Sequence, residues 1–213
     1  MSASDIAKLR AQTGAGMMDC KQALDESGGN TEQAVEWLRK KGITKAAKRA
    51  GKVAAEGIVG SYIHAGGKIG VLVEVNCETD FVAKTDAFKN IVTDIALHIA
   101  AAAPLVVRRE EVSADMVEKE KNVYRAQLQA EGKPEAMIEK IVEGKIGKFY
   151  SEICLLEQVY VKDEEKTIEQ VLTSKTAEIG EKITIRRFAR FVLGEGIEKV
   201  HSDFAAEVAE QLQ

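Results

Sequence analysis

Apolar positions over residues 4–42 are spaced for three short helices. Ile6 and Leu9 fall three apart in the first, which Ser4 can cap and which Thr13-Gly14-Ala15-Gly16 ends. A second runs from Met17 to about Ser27, where Gly28-Gly29-Asn30 breaks it, and Thr31 caps a third that carries Val35, Trp37 and Leu38. Arg39-Lys40-Lys41-Gly42 then supplies cations and a C-cap glycine where the third helix should stop. From Gly57 the period changes. Ile58 to Ile63 and Ile69 to Val75, joined at Ala65-Gly66-Gly67, predict a β-hairpin. Phe88, Ile91, Val92, Ile95 and Ile99 return to helical spacing until Pro104, so this helix should cover the sheet.

Residues 113–150 predict two antiparallel helices joined at Gly132-Lys133-Pro134, with Val123, Tyr124 and Leu128 on one arm and Ile138, Ile141, Val142 and Phe149 on the other. Such a hairpin needs only a narrow apolar seam and should project from the body, burial in a bundle being the alternative. After the short apolar run Val159-Tyr160-Val161, Thr167 and Gln170 have capping-box spacing ahead of another helix, and the alternation Ile183-Thr184-Ile185-Arg186 begins a strand that reaches Val192. Phe204, Val208 and Leu212 lie four apart on a C-terminal helix capped by Ser202 or Asp203, which docks either on this body or on a partner. The fold class is α+β. Its parts are a three-helix unit over 1–42, a basic linker helix over 43–56, an α+β core over 57–200 that contains the helical hairpin at about 113–150, and a C-terminal helix over 201–213.

Charge and cysteine usage narrow the function classes. The 34 acidic residues outnumber the 30 basic ones, and the net charge of −4 argues against nucleic acid as the main partner. Seven basic residues and no acidic one lie between Arg39 and Lys52, which reads as a solvated linker helix rather than a nucleic-acid patch. Cys20, Cys77 and Cys154 are odd in number and far apart, as small core residues of a reducing compartment would be. With no secretory pattern at the N-terminus and no apolar run of membrane-spanning length, a cytoplasmic protein is expected. No strand, Gly-rich loop and Lys-Ser/Thr combination marks a nucleotide-binding site. Gly14-Ala15-Gly16 follows a helix and lacks the third glycine of a dinucleotide loop. His64, His98 and His201 have no neighbours at metal spacing, so neither a metal nor another cofactor is expected. His98, near the apolar face of its helix, reads as a satisfied, partly buried side chain and His201 as an exposed one. An enzyme acting through His64 and Cys77 would lack both a base and an orienting group.

Two segments depart from the in/out logic of a self-contained globule. If Met17, Cys20, Ala23 and Leu24 share the buried face of the second helix, Met18 turns outward beside Gln22 and Asp25, unless it packs on the linker. Asn76-Cys77-Glu78-Thr79-Asp80-Phe81-Val82-Ala83-Lys84 joins the hairpin to the following helix. There Asp80 reads as an N-cap and Phe81 as a core plug, or the two as an outward contact loop.

Leu9-Arg10-Ala11-Gln12-Thr13-Gly14-Ala15-Gly16-Met17-Met18-Asp19-Cys20-Lys21 and Asn76-Cys77-Glu78-Thr79-Asp80-Phe81-Val82-Ala83 strongly resemble the two signatures of the elongation factor Ts family. The likeness extends through Gly51-Lys52-Val53-Ala54-Ala55-Glu56-Gly57, Gly132-Lys133-Pro134, Ile141-Val142-Glu143-Gly144-Lys145 and Gly194-Glu195-Gly196-Ile197-Glu198. It implies a guanine-nucleotide exchange factor for elongation factor Tu, without covalent chemistry and without nucleotide, nucleic-acid or membrane binding of its own. The N-terminal module is then similar to ubiquitin-associated domains and grips the GTPase through Leu9, Arg10, Met17 and Met18. Thr79, Asp80, Phe81 and Val82 enter beside the GTPase's magnesium site, Phe81 as a wedge that Asp80 helps to hold. His64, Ile179 and Gly180 match further contact positions near the phosphate-binding loop. Long members repeat the core sheet unit, whereas Gly60 through Val75 occurs here once, so the chain resembles the short type, in which two chains can pair as a homodimer. The competing reading is a protein-binding adaptor that uses only the ubiquitin-associated-like module and leaves nucleotide release unchanged.

Overall fold

The computed structural model describes residues 2–197, so the helix expected at 201–213, and His201 with it, lie outside the described residues. The N-terminal unit comprises α1 (Ala3–Thr13), α2 (Met17–Glu26) and α3 (Thr31–Arg49). After it come β1 (Glu56–Ile63), β2 (Ile69–Cys77), the single turn α4 (Asp80–Ala83), α5 (Asp86–Ala102), α6 (Ala114–Ala130) and α7 (Glu135–Ile153). The described elements end with β3 (Val159–Tyr160), β4 (Asp163–Thr167), α8 (Ile168–Ile179) and β5 (Thr184–Val192).

Leu9, Cys20, Ala23, Leu24, Ala34 and Leu38 close a small core between the first three helices. The cap of α1 is Ser2 rather than Ser4, since the Ser2 hydroxyl accepts the Asp5 N–H while the Asp5 carboxylate accepts the Ser2 N–H. Gly42 does not end α3, and the helix runs on to Arg49. A Cβ on Gly42 would stand 3.2 Å from the Ala177 Cβ of α8, so the missing side chain admits a close helix crossing. That packing outweighs a helix-propensity cost of about 1 kcal/mol. The helical part of the expected linker therefore stops at Arg49, and the chain is irregular from there to β1. Lys41 and Lys45 of this basic stretch both pair with Asp19 on α2, so part of its charge is already answered within the unit.

Three antiparallel strands in the order β1-β2-β5 form the main sheet. Phe88, Ile91, Val92, Ile95 and Ile99 of α5 pack on Val71, Val73, Val75 and Ile185, as the helical spacing required. A Cβ on Gly60 would lie only 2.3 Å from Val92 Cγ1, so glycine at this position is what lets α5 settle on β1. The opposite face of the sheet carries Val59, Ile63, Leu72 and Phe191, all exposed. Strand register places Ile63 beside Gly70 and Phe191, and Ser61 beside Leu72 and Ala189.

The α6–α7 hairpin keeps its own apolar cluster of Leu128, Ile138, Val142 and Ile146, distinct from the sheet core. Gly132, with φ 70°, turns the chain between the two helices. Val123, placed on the seam by its spacing, is exposed, and Val117 joins the expected Tyr124 there instead. The short pair β3–β4 was not expected, although β3 falls on the apolar run at Val159-Tyr160-Val161. Asp163-Glu164-Glu165-Lys166 offers no apolar alternation, so β4 left no trace in the hydropathy pattern.

His98 is fully buried rather than partly so, and is satisfied on both nitrogens. Its Nε2 lies 3.0 Å from Gln158 Oε1, and its Nδ1 accepts the Val161 N–H at 3.3 Å, which defines the neutral tautomer with the proton on Nε2. Burial pushes the imidazole below its ordinary value of 6.5, with Gln158 opposing only in part. A depressed folded pKa means that the unfolded chain takes up the proton first as pH falls. Stability should therefore decline from about pH 6.5 downward and level off below the folded value. His98→Leu leaves Gln158 Oε1 buried without a partner and breaks the bond of the Val161 N–H, an expected loss of about 1–3 kcal/mol at neutral pH. Urea denaturation of both proteins at about pH 7.5 and pH 5.5 measures the two effects, and the variant should show the smaller pH dependence.

Candidate partner-binding site

The junction after β2 is a single helical turn where an open loop was expected. Thr79, not Asp80, is its cap, its Oγ1 accepting the Val82 N–H at 3.4 Å. Over one turn, Val82 and Ala83 face the sheet core while Asp80 and Phe81 face away. Phe81 is 78% exposed, so it is not a core plug. Asp80 bonds Lys84 at 2.7 Å four residues on, and this contact holds its carboxyl below the usual carboxylate range. The Lys84 ammonium in turn sits 6.0 Å from the centre of the Phe81 ring.

Beneath the turn, Cys77 Sγ donates to the Thr79 carbonyl at 3.1 Å. From the side, Glu181 accepts the Thr79 hydroxyl at 2.7 Å. Gly180, with φ 84°, ends α8 in the left-handed conformation and swings the chain so that Glu181 meets the turn. The structure thus brings Ile179 and Gly180 to the same end of the sheet as Thr79–Val82. Ile179 packs against the core and Gly180 is exposed. His64 is not brought there. It follows Ile63, which pairs with Gly70, whereas Thr79 follows Cys77, which pairs with Glu56 at the far end of the ribbon. Seven strand residues at about 3.3 Å each separate the two ends. His64 is exposed, its Nδ1 lying 3.1 Å from the Tyr62 hydroxyl.

In the N-terminal unit Arg10, Met17 and Met18 are exposed, Met18 at 75%. Met17 was placed on the buried face of α2. It is 44% exposed instead, because it begins the helix, ahead of the turn that reaches the module's core. Leu9 is fully buried among the three helices, so it shapes the surface from beneath and does not itself present one. Met18 packs on nothing in the linker and remains an isolated flexible apolar side chain.

Glu78 and Glu181, which hold the turn from either side, are the residues that sequence reasoning missed. Glu78 accepts the Lys182 N–H at 2.7 Å and the Arg49 guanidinium at 2.9 Å, and the two together hold its carboxyl below the ordinary range. Both partners are remote in the chain, so no local spacing announced them. The Asp80–Lys84 pair was legible from its spacing of four. Among the described residues no group of three or more His, Cys, Asp or Glu is arranged to hold a metal ion, and no helix is long and apolar enough to cross a membrane.

The whole described body is shared with known proteins. A family model described as elongation factor TS matches residues 3–195. The protein named Elongation factor Ts of Geobacter metallireducens is 63% identical over 209 residues, covering 98% of this chain and 97% of its own length. That of Desulforamulus reducens is 61% identical over 213 residues, with 100% and 98% covered, and that of Desulfitobacterium hafniense 57% over 212 residues, with 100% and 98% covered. Such identity along the full length means that this chain belongs to the elongation factor Ts family of translation elongation factors.

Proposed function

We propose that the chain binds elongation factor Tu in its GDP form and accelerates GDP release by inserting Phe81 beside the Mg²⁺ and phosphate site of that GTPase. The observation that carries this reading is an aromatic ring held 78% in solvent on a turn whose base is tightly bonded. A large exposed apolar side chain on a rigid mount gains nothing in the free chain and has its full burial left to contribute in a complex. Burying one phenyl group is worth roughly 1.5–3 kcal/mol, or about tenfold to a hundredfold in affinity. Mg²⁺ demands near-ideal octahedral geometry and bridges the nucleotide phosphates, so a small displacement of the groups around it weakens GDP binding. Coupling of this kind is reciprocal. GDP weakens the grip of the factor as the factor weakens that of GDP, and the final nucleotide occupancy is unchanged.

In this reading Arg10, Met17 and Met18 anchor the nucleotide domain, with Leu9 as the internal support of that surface. Thr79 and Val82 mount the wedge and Asp80 steadies it. Ile179 and Gly180 flank it, and His64 forms a separate, distant contact. The protein acts in the cytoplasm and needs no cofactor or covalent step. The adaptor reading accounts for Met17 and Met18 but leaves Phe81 without a purpose. Release of a fluorescent GDP from elongation factor Tu distinguishes the two, since an exchange factor gives a saturable acceleration and an adaptor gives none.

The short-type resemblance also points to a homodimer, and the open face of the sheet supports one. Ile63, Leu72 and Phe191 lie on the side away from α5, with Val59 further along it beside the Glu74–Arg187 pair, and a second copy of the same sheet would cover them. Light scattering at micromolar concentration should give twice the chain's own mass, and Leu72→Asp should return it to a monomer. A native protein of single mass would remove the dimer from the account.

A further inference from the structure

The turn that carries Phe81 is gripped from two sides. Oε2 of Glu181 accepts the Glu78 N–H at 3.2 Å and the Thr79 N–H at 3.0 Å, while Oε1 accepts the Thr79 hydroxyl. Glu78 reaches the other way, to the Lys182 N–H and to Arg49 at the end of α3. The Lys182 ammonium then donates to the carbonyls of Ala50 at 2.7 Å and Lys52 at 3.0 Å, just beyond that helix. Residues 49–52, 78–79 and 181–182 are thus tied in one ring of bonds. The ring joins the last helix of the N-terminal unit to the turn of α4 and to the start of β5.

The ring holds a single ion pair, between Arg49 and Glu78, so charge pairing explains little of it. It is better explained by geometry. Three of its bonds run from a backbone N–H to a carboxylate, which fixes the direction of the main chain, and every bond in it restrains one segment against another remote in sequence. We propose that Glu78 and Glu181 are positioning residues, which fix the direction of Phe81 relative to α3 so that a partner gripped by the N-terminal helices meets the ring in register. The proposal rests on Phe81 being the wedge. A ring presented from a slack turn must be ordered as it inserts, and that ordering is subtracted from the exchange effect. Ordering the backbone of a single residue corresponds to about a tenfold factor.

The test combines Glu181→Ala with Phe81→Ala in a double-mutant cycle, read in two ways. The first is the maximal rate of fluorescent GDP release from elongation factor Tu, with the factor concentration that half-saturates it. Glu181→Ala should lower the maximal rate about tenfold and move the half-saturating concentration less than about twofold, because the N-terminal contacts are untouched. In the Phe81→Ala background it should cost nothing further, since no wedge remains to be aimed. The second is amide hydrogen exchange of the free chain. The amides of residues 79–83 should lose protection while those of α5 keep theirs, which a general loss of stability would not do. Glu181→Gln, which keeps the shape of the side chain and the Thr79 cap but removes the charge, should show the same pattern more weakly and serves if Glu181→Ala folds poorly. An unchanged maximal rate with unchanged protection overturns the proposal, and so does a loss that simply multiplies with that of Phe81→Ala. A native chain that fails to accelerate release instead removes the exchange reading itself, so the two failures are told apart.

Discussion

Phe81→Ala should abolish most of the acceleration of GDP release while leaving the fold intact. The side chain is 78% exposed, so its removal opens no cavity. Exposed substitutions of this kind fall within about 0.5 kcal/mol of native stability. In the complex the same change removes the apolar burial that drives insertion, an expected loss of about 1.5–3 kcal/mol, or about tenfold to a hundredfold in kcat/KM for exchange. Stopped-flow release of fluorescent GDP beside a urea denaturation curve gives both quantities. A small kinetic loss with normal stability would mean that the ring is not the wedge.

The second large effect is expected on folding. Gly57 stands at the start of β1 with φ 143°, and a Cβ there would lie 2.1 Å from the Val75 carbonyl oxygen and 2.7 Å from Asn76 Cα. Both obstacles are backbone atoms of the central strand, which no rotamer change can move aside. Gly57→Ala must therefore push β1 away from β2 beside Val75 and Cys77, two of the most buried residues of the sheet. Loss of more than about 3 kcal/mol is expected, a large share of the stability of an ordinary domain. The urea midpoint measures it, and a shift equivalent to less than about 1 kcal/mol would show that the strand pairing at Gly57 is looser than described.

The regular parts of the fold were legible because each obeys one period. The stripe from Phe88 to Ile99, the hairpin around Gly66 and the box of Thr167 with Gln170 are local signals, and each produced the element expected of it. Failures occurred where tertiary contact overrode local chemistry. Gly42 has every mark of a helix end, yet α3 passes through it because Ala177 lies against it. Likewise the exposure of Phe81 depends on which side of a single turn faces the sheet, and a turn of four residues is too short for a period to settle that. The signature segments pointed to the proposed partner-binding surface only by resemblance. The bonds that rigidify it, from Glu181 to Thr79 and from Arg49 to Glu78, join residues far apart in the chain and carry no spacing to read.

The central claim is that the ring at position 81 leaves solvent for the interior of a partner. A fluorinated phenylalanine placed there alone reports it directly, through the fluorine shift between light and heavy water. In the free protein the full solvent shift of an exposed ring is expected, and in the complex with nucleotide-free elongation factor Tu it should fall to that of a buried one. A ring that keeps its full solvent shift in the saturated complex would contradict the account.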